Sequence, residues 1–247
     1  MMISPYTWLL FAGLVISFFF WKQRARQDKR LLFIYGAALV GAFFGAKLVY
    51  LFAEGWLHFG AADMWLQLAA GKSILGALLG GYAFVEFAKR YVGYRRATGD
   101  DFALIAPISI GLGRIGCLLH GCCLGVVCPP QWYALRDSQG TPRWPAVPVE
   151  LAFNATAFFF FLLLRRRKLF PGQHFHLYLM AYGLFRFAHE FARATPKIAG
   201  VFSGYHFAAI GVALLGLAGF LQRRSSQARV TFENLERTED GSSPKLA

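Results

Sequence analysis

Seven apolar blocks divide the chain, over approximately residues 6–21, 31–53, 74–87, 102–119, 149–164, 176–192 and 205–221. Each is close to the ~20 residues that a helix needs to cross a bilayer core. The third is short by itself, and Lys89 and Arg90 at its end extend it by snorkelling. This pattern predicts an all-α, polytopic membrane protein of seven transmembrane helices. The connections alternate in character. Segments 22–30, 89–96, 165–168 and 223–247 hold 18 Lys and Arg, whereas the opposite set holds five: Lys72, Arg136, Arg143, Arg193 and Lys197. The positive-inside rule then puts the amino terminus outside and the carboxyl terminus in the cytoplasm. The outward connections, residues 54–72 and 120–147, are the elaborate ones and carry Trp56, Trp65, Trp132 and Trp144, a residue type suited to the membrane interface.

Composition agrees with the pattern: 56% of residues are hydrophobic, 26 are Phe, and mean hydropathy is +0.42. A formal charge of +13 could suggest nucleic acid, but the cations cluster at the ends of apolar spans instead of interleaving with aromatics on one face, so that partner class is set aside. The first span is followed by its cations and by no small-residue cleavage pattern, which argues against a removable signal peptide. Residues 1–224 are expected to form one transmembrane domain. The tail 225–247, rich in Ser, Glu and Arg, is expected to be a disordered cytoplasmic segment.

Three cations lie within spans: Lys47, Arg114 and Arg186. Each costs ~2.5 to 3.5 kcal/mol on insertion scales if unpaired, so a shared interior polar site is expected. Arg186, His189, Glu190 and Arg193 follow at i, i+3, i+4 and i+7, one face of a helix. An Arg186–Glu190 pair could simply neutralise itself, but four ionisable groups on one stripe favour a site. Lys47, Tyr50 and Glu54 repeat the spacing, and Lys47 could equally neutralise Glu54. Gly76 and Gly80 permit close helix approach. The cysteines Cys117, Cys122, Cys123 and Cys128, with His120, have spacings that could hold zinc, although no finger pattern repeats. Disulfides near the outer face are preferred, with Cys122 or Cys123 joined to Cys128, while Cys117 could be no more than a small buried hydrophobe. The reading requires no cofactor and assigns no metal ligand.

The order of motifs resembles that of the prolipoprotein diacylglyceryl transferase family of bacterial inner membranes, from about residue 3 to residue 221. Gly113-Arg-Ile-Gly116 with Gly121 and Gly125 is similar to the family's glycine-arginine signature loop. Phe185-Arg-Phe-Ala-His-Glu-Phe-Ala-Arg193, Arg143-Trp-Pro-Ala-Val-Pro-Val-Glu150, Gly45-Ala-Lys-Leu-Val-Tyr50 and, more weakly, Ile3-Ser-Pro-Tyr6 are similar to further family segments. The chain departs from the family where Cys117 stands for an Asn, His120-Gly121-Cys122 for Asn-Gly-Glu, Leu75 for a His and Trp144 for a His.

The resemblance implies transfer of the diacylglyceryl group of phosphatidylglycerol to the lipobox cysteine thiol of a prolipoprotein signal peptide, releasing glycerol 1-phosphate. Arg114 and Arg186 are the expected phosphate holders, with Lys47 and Arg193 behind them. His120 is the expected base, His189 the second choice, and Glu190 would orient the arginines. Glu150 would stabilise the outer loop. Tyr6, Tyr50, Cys117, Gly121, Gly125 and Arg143 complete the expected substrate contacts. Three alternatives remain open: a diverged member with another lipid donor or acceptor, a membrane thiol oxidoreductase motivated by the outward cysteines, and a lipid or anion transporter.

Overall fold

The computed structural model describes residues 5–198 and 200–239, with side chains described over 7–198 and 200–224. In chain order it contains α1 (Pro5–Arg24), α2 (Arg30–Ala53), a 3-10 turn (Gly55–His58), α3 (Met64–Ala70), α4 (Ile74–Tyr91) and α5 (Gly99–Leu119). A two-stranded antiparallel hairpin, β1 (Leu135–Arg136) and β2 (Pro142–Arg143), leads into α6 (Ala146–Arg166), α7 (His174–Glu190) and α8 (Gly204–Glu239). The protein is thus predominantly helical. Among the described residues, α2, α5, α6 and the Gly204–Arg224 part of α8 are long and apolar enough to cross a membrane. α3 and α4, bent by 59° at their junction, together make a fifth candidate. α7 has 17 residues and carries Arg186, His189 and Glu190, which lower its apolar character. The segment after Ser225, expected to be unstructured, begins within α8, and residues 240–247 lie outside the described residues.

Short helix α3 was not foreseen in the connection 54–72. It is seated by Lys47 on α2, whose ammonium donates to the carbonyls of Leu68, Ala69 and Gly71 at its C-terminal end. A cation placed on the unpaired carbonyls of a helix C-terminus meets the negative end of the helix dipole. The Ser73 hydroxyl then caps α4, accepting from the Gly76 amide at 3.4 Å.

Glycine decides how α2 and α4 pack. A methyl on Gly76 would overlap the Gly45 carbonyl, and one on Gly80 would overlap the Gly41 carbonyl. The two helices therefore cross backbone to backbone, as small residues permit where no hydrophobic drive separates helix from lipid. The other buried apolar side chains form a core of Leu75, Leu78, Leu104, Phe161, Tyr178, Tyr182, Ala209 and Val212 from α4 to α8. Phe11, Phe18, Phe19, Phe43, Phe44 and Phe52 stay exposed on α1 and α2, which fits lipid contact. At the basic end, Asp101 on α5 pairs with Arg24 of α1 at 3.0 Å and with Arg165 of α6 at 2.8 Å. Asp100 accepts from the backbone amides of Gly172 and His174. One acidic dipeptide thereby joins four segments at that end.

Replacing Gly76 with Ile should separate α2 from α4, because the obstacle is a backbone carbonyl that cannot move aside. The expected loss is ~1–3 kcal/mol or more, read as a lower thermal midpoint in detergent. Gly36→Ala, where a Cβ meets nothing within 4 Å, should leave the midpoint unchanged.

Candidate active site

At the end of the bundle opposite Asp101, α5, α6 and α7 converge on one carboxylate. Glu150, in the first turns of α6, is 0% exposed. Arg114 of α5 reaches it at 2.8 Å, Arg186 of α7 at 3.4 Å, and Arg193, just past α7, at 3.8 Å. The Tyr182 hydroxyl donates to Glu150 Oε1 at 2.7 Å. A buried carboxylate persists as a charge only when it is so surrounded. Below it, Asn154 donates to the Glu150 carbonyl at 2.9 Å and accepts from the Tyr178 hydroxyl at 2.9 Å, so the turn bearing the carboxylate is itself held.

A second carboxylate extends the cluster. Glu190, also 0% exposed, pairs with Arg186 at 2.9 Å one helical turn back and with Arg193 at 3.6 Å. It accepts from the Thr195 and Ser203 hydroxyls, while the Lys197 ammonium donates to its backbone carbonyl and to Thr195 at 3.1 Å. Three guanidiniums face two carboxylates, which leaves one positive charge over. The donors are also in excess: Arg114 Nε, Arg186 Nε, and Arg193 Nε and Nη1 are buried without a hydrogen-bond partner, and so are both ring nitrogens of His189. Arg193 stands within ion-pair range of both carboxylates and makes a hydrogen bond to neither. Spare charge with spare, fixed donors is what an incoming anion requires.

The segment after α5 covers this cluster. Gly121, with φ +67°, ends the helix: its amide donates to the Leu118 carbonyl at 3.2 Å and the Cys122 amide to the Cys117 carbonyl at 3.1 Å. Those two bonds are the Schellman arrangement, in which the left-handed residue is best filled by glycine. The chain then runs antiparallel to the end of α7. Val126 donates to the Ala192 carbonyl at 3.0 Å, Ala194 to the Leu124 carbonyl at 3.3 Å, and Trp144 to the Val126 carbonyl at 2.9 Å. Gly125 lies between Trp144 and Ala192, where no Cβ fits. This strap fixes the start of α6 against the end of α7, and so fixes Glu150 against Arg193.

The sequence reading places Arg114 and Arg186 in one polar site, and they do share Glu150. Lys47 does not join them, because the carbonyls of α3 occupy its ammonium; Tyr50 turns toward the same helix, its hydroxyl 3.4 Å from the Gln67 carbonyl. Glu54 accepts from Tyr205 of α8 at 2.8 Å. Glu150 does more than steady the outer loop: it is the hub of the cluster. Its signal was a lone acid at the head of an apolar block. Tyr182, Thr195 and Ser203 had no distinguishing pattern. Arg143 pairs with Asp137 at 2.9 Å in the hairpin. His120 is exposed at the C-cap of α5. The side chain of Tyr6 lies outside the described residues.

The preferred disulfides give way to free thiols at all four cysteines. Cys117, Cys122 and Cys123 gather with every Sγ within 4.8 Å of the others, whereas Cys128 is drawn into the strap, its amide donating to the Pro142 carbonyl at 3.1 Å. The neighbouring Cys117 thiol, with Arg114 and Arg193, holds the Cys123 thiol well below its ordinary range. A separate apolar cavity of about 230 Å³, lined by Tyr35, Leu78, Tyr82, Phe102, Ile105 and Phe175 among others, lies between the helices on the side of Lys89 and Arg223 and does not include the arginine cluster.

Fold and cluster together define a helical membrane protein with a charge-compensated arginine site at one end of its bundle. The sequence profile described as prolipoprotein diacylglyceryl transferase matches residues 1–222, and the chain belongs to that family. Proteins named phosphatidylglycerol–prolipoprotein diacylglyceryl transferase are similar to it over much of its length. The one from Vibrio vulnificus is 29% identical over 190 residues, 75% of this chain and 68% of that protein. The Aeromonas salmonicida protein is 31% identical over 72% of this chain and 66% of its own length, and the Erwinia tasmaniensis protein is 28% identical over 85% and 81%.

Glu150→Ala should destabilise the protein by ~3–5 kcal/mol, because it strands buried guanidiniums. Tyr182→Phe, which removes one hydrogen bond to a charged group, should cost only ~1.5–3 kcal/mol. Thermal unfolding in detergent checks the order; equal midpoints for the two variants would contradict the hub assignment.

Proposed function

We propose that this chain transfers the diacylglyceryl group of phosphatidylglycerol to the lipobox cysteine of a prolipoprotein signal peptide, releasing glycerol 1-phosphate. The observation that carries the reading is the surplus of buried, fixed guanidinium donors around Glu150 in a chain of this family. The acceptor sulfur, as thiolate, attacks the glycerol carbon that bears the phosphate ester. The carbon–oxygen bond breaks, a carbon–sulfur bond forms, and the electron pair leaves on the phosphate. That departing charge is received by Arg114, Arg186 and Arg193, whose positions are set beforehand by Glu150 and Glu190. Receiving it without rearrangement is where their rate effect arises.

His120 acts as the general base for the acceptor thiol; its exposure at the end of α5 leaves it reachable by a peptide from the outer side. His189 is the second choice, buried beside the cluster and stacked on Phe185 at 5.1 Å. Gly121 and Gly125 keep the strap close enough for its backbone to approach the lipid head, and Cys117 lies next to Arg114. Tyr6, Lys47, Tyr50 and Arg143 are assigned to substrate contact on the resemblance of their segments. In this reading α1, α2 and α4 to α8 all cross the bacterial inner membrane, with the amino terminus and the strap periplasmic and the carboxyl terminus cytoplasmic. The wide lipid-facing surface of α1 and α2 and the clustered cations support that arrangement.

Purified protein given labelled phosphatidylglycerol and a lipobox peptide should yield a thioether product, and a peptide with Ser in place of the acceptor Cys should yield none. Failure of a folded preparation to make product would favour another lipid donor or acceptor. His120→Ala should lower the rate by ~10²–10⁴-fold, and full activity in that variant would remove His120 from the mechanism. Arg186→Lys, which keeps the charge and loses the planar fork, should lower the rate by ~10²–10³-fold.

A further inference from the structure

Three thiols beside the arginine cluster take no step in the transfer just described. The Sγ atoms of Cys117, Cys122 and Cys123 lie within 4.8 Å of one another. Thiolates held at ~2.3 Å from one ion stand about 4 Å apart, close to the 3.8 Å between Cys117 and Cys123. A disulfide requires ~2.05 Å.

Backbone geometry brings the three together. The helix end that Gly121 terminates sets Cys117, three residues before the C-cap His120, beside the first residue after the glycine, Cys122; contact between those two positions commonly accompanies this motif. Cys123 then adopts φ +62°, a left-handed conformation uncommon for a residue with a Cβ, and its sulfur comes back to Cys117. Held strain of this kind at a cluster of reactive groups points to a use for the cluster.

An independent observation concerns the surroundings. Arg114 Nη1 donates to the Cys117 sulfur at 3.9 Å, from a buried side chain that Glu150 holds at 2.8 Å. A donor fixed beside a thiolate sulfur belongs to the outer shell on which metal–thiolate sites depend.

We propose that Cys117, Cys122 and Cys123 bind one divalent, thiophilic d10 ion of the zinc type and leave its fourth position open to an incoming thiol. All-sulfur donors favour such an ion over magnesium or calcium. Cys122 and Cys123 are half-buried, so their sulfurs stay within reach of an incoming thiol. A thiol that coordinates such an ion is deprotonated outright. The lipobox sulfur would then lose its proton to His120 and reach the glycerol carbon as a thiolate; this last role rests on the transferase reading, whereas the ion site does not.

Cobalt(II), a spectroscopic stand-in for zinc, is the probe, added to the reduced full-length protein in detergent without any lipid donor. One equivalent should bind with sulfur-to-cobalt charge-transfer absorption, and zinc should displace it. Cys117→Ser, Cys122→Ser and Cys123→Ser should each weaken binding by at least ~10- to 100-fold, with helical content and elution unchanged, while Cys128→Ser should bind as the parent does. Adding a lipobox peptide should strengthen the charge-transfer band, and its Ser counterpart should not. Absence of stoichiometric binding in protein whose four thiols titrate as free, or binding indifferent to the three Ser changes, overturns the site. An unchanged band with the Cys peptide overturns the open position. Metal binding in a protein without transferase activity would count against the transfer reaction alone, and full activity in metal-free protein would overturn the ion's role in thiol activation while leaving the site to the cobalt titration.

Discussion

One buried carboxylate, Glu150 of α6, holds three arginines from the ends of α5 and α7 in place. Without it, Arg114, Arg186 and Arg193 would face one another inside an apolar bundle, where like charges and lost hydration both oppose burial. With it, α5, α6 and α7 have a common point that none could leave alone. Tyr182 and Asn154 fix the carboxylate from below, and the strap of residues 124–126 fixes the helix ends from above. Function and fold depend on the same contact: the compensation is incomplete by one charge, and the remainder is what an anionic substrate would meet.

The two ends of the bundle handle charge differently. At the basic end, Asp101 pairs with two arginines that also reach solvent and Asp100 accepts from two backbone amides, so those contacts stitch helices without stranding buried charge. At the other end the charged groups are buried and their partners fewer than their donors. Between them lies an apolar core and, near the basic end, an apolar cavity. Polar chemistry is therefore confined to one depth, which suits a protein that works on a molecule with a charged head and long hydrocarbon chains.

Some of the positions at which the sequence departs from the motifs it resembles meet in space. Cys117, His120 and Cys122 stand where other residue types are expected, and Cys117 and Cys122 prove to be neighbours in space through the turn at Gly121.

Much of this was legible along the chain because it is local. Apolar block length gives the helices, the i, i+4 spacing of Arg186 and Glu190 gives their ion pair, and Gly76 with Gly80 gives a face that can approach another backbone. What periodicity leaves open is the partner across the bundle. Lys47 has the same intramembrane character as Arg114, yet it ends on the carbonyls of α3, a short helix hidden in a connection too brief to show a period. Glu150 became the hub only through the crossing of α5, α6 and α7 and the path of the strap. A residue's place on its own helix follows from a rotation of 100° per residue; which charge it meets depends on contacts between residues distant in sequence, and those exist only once the helices have packed.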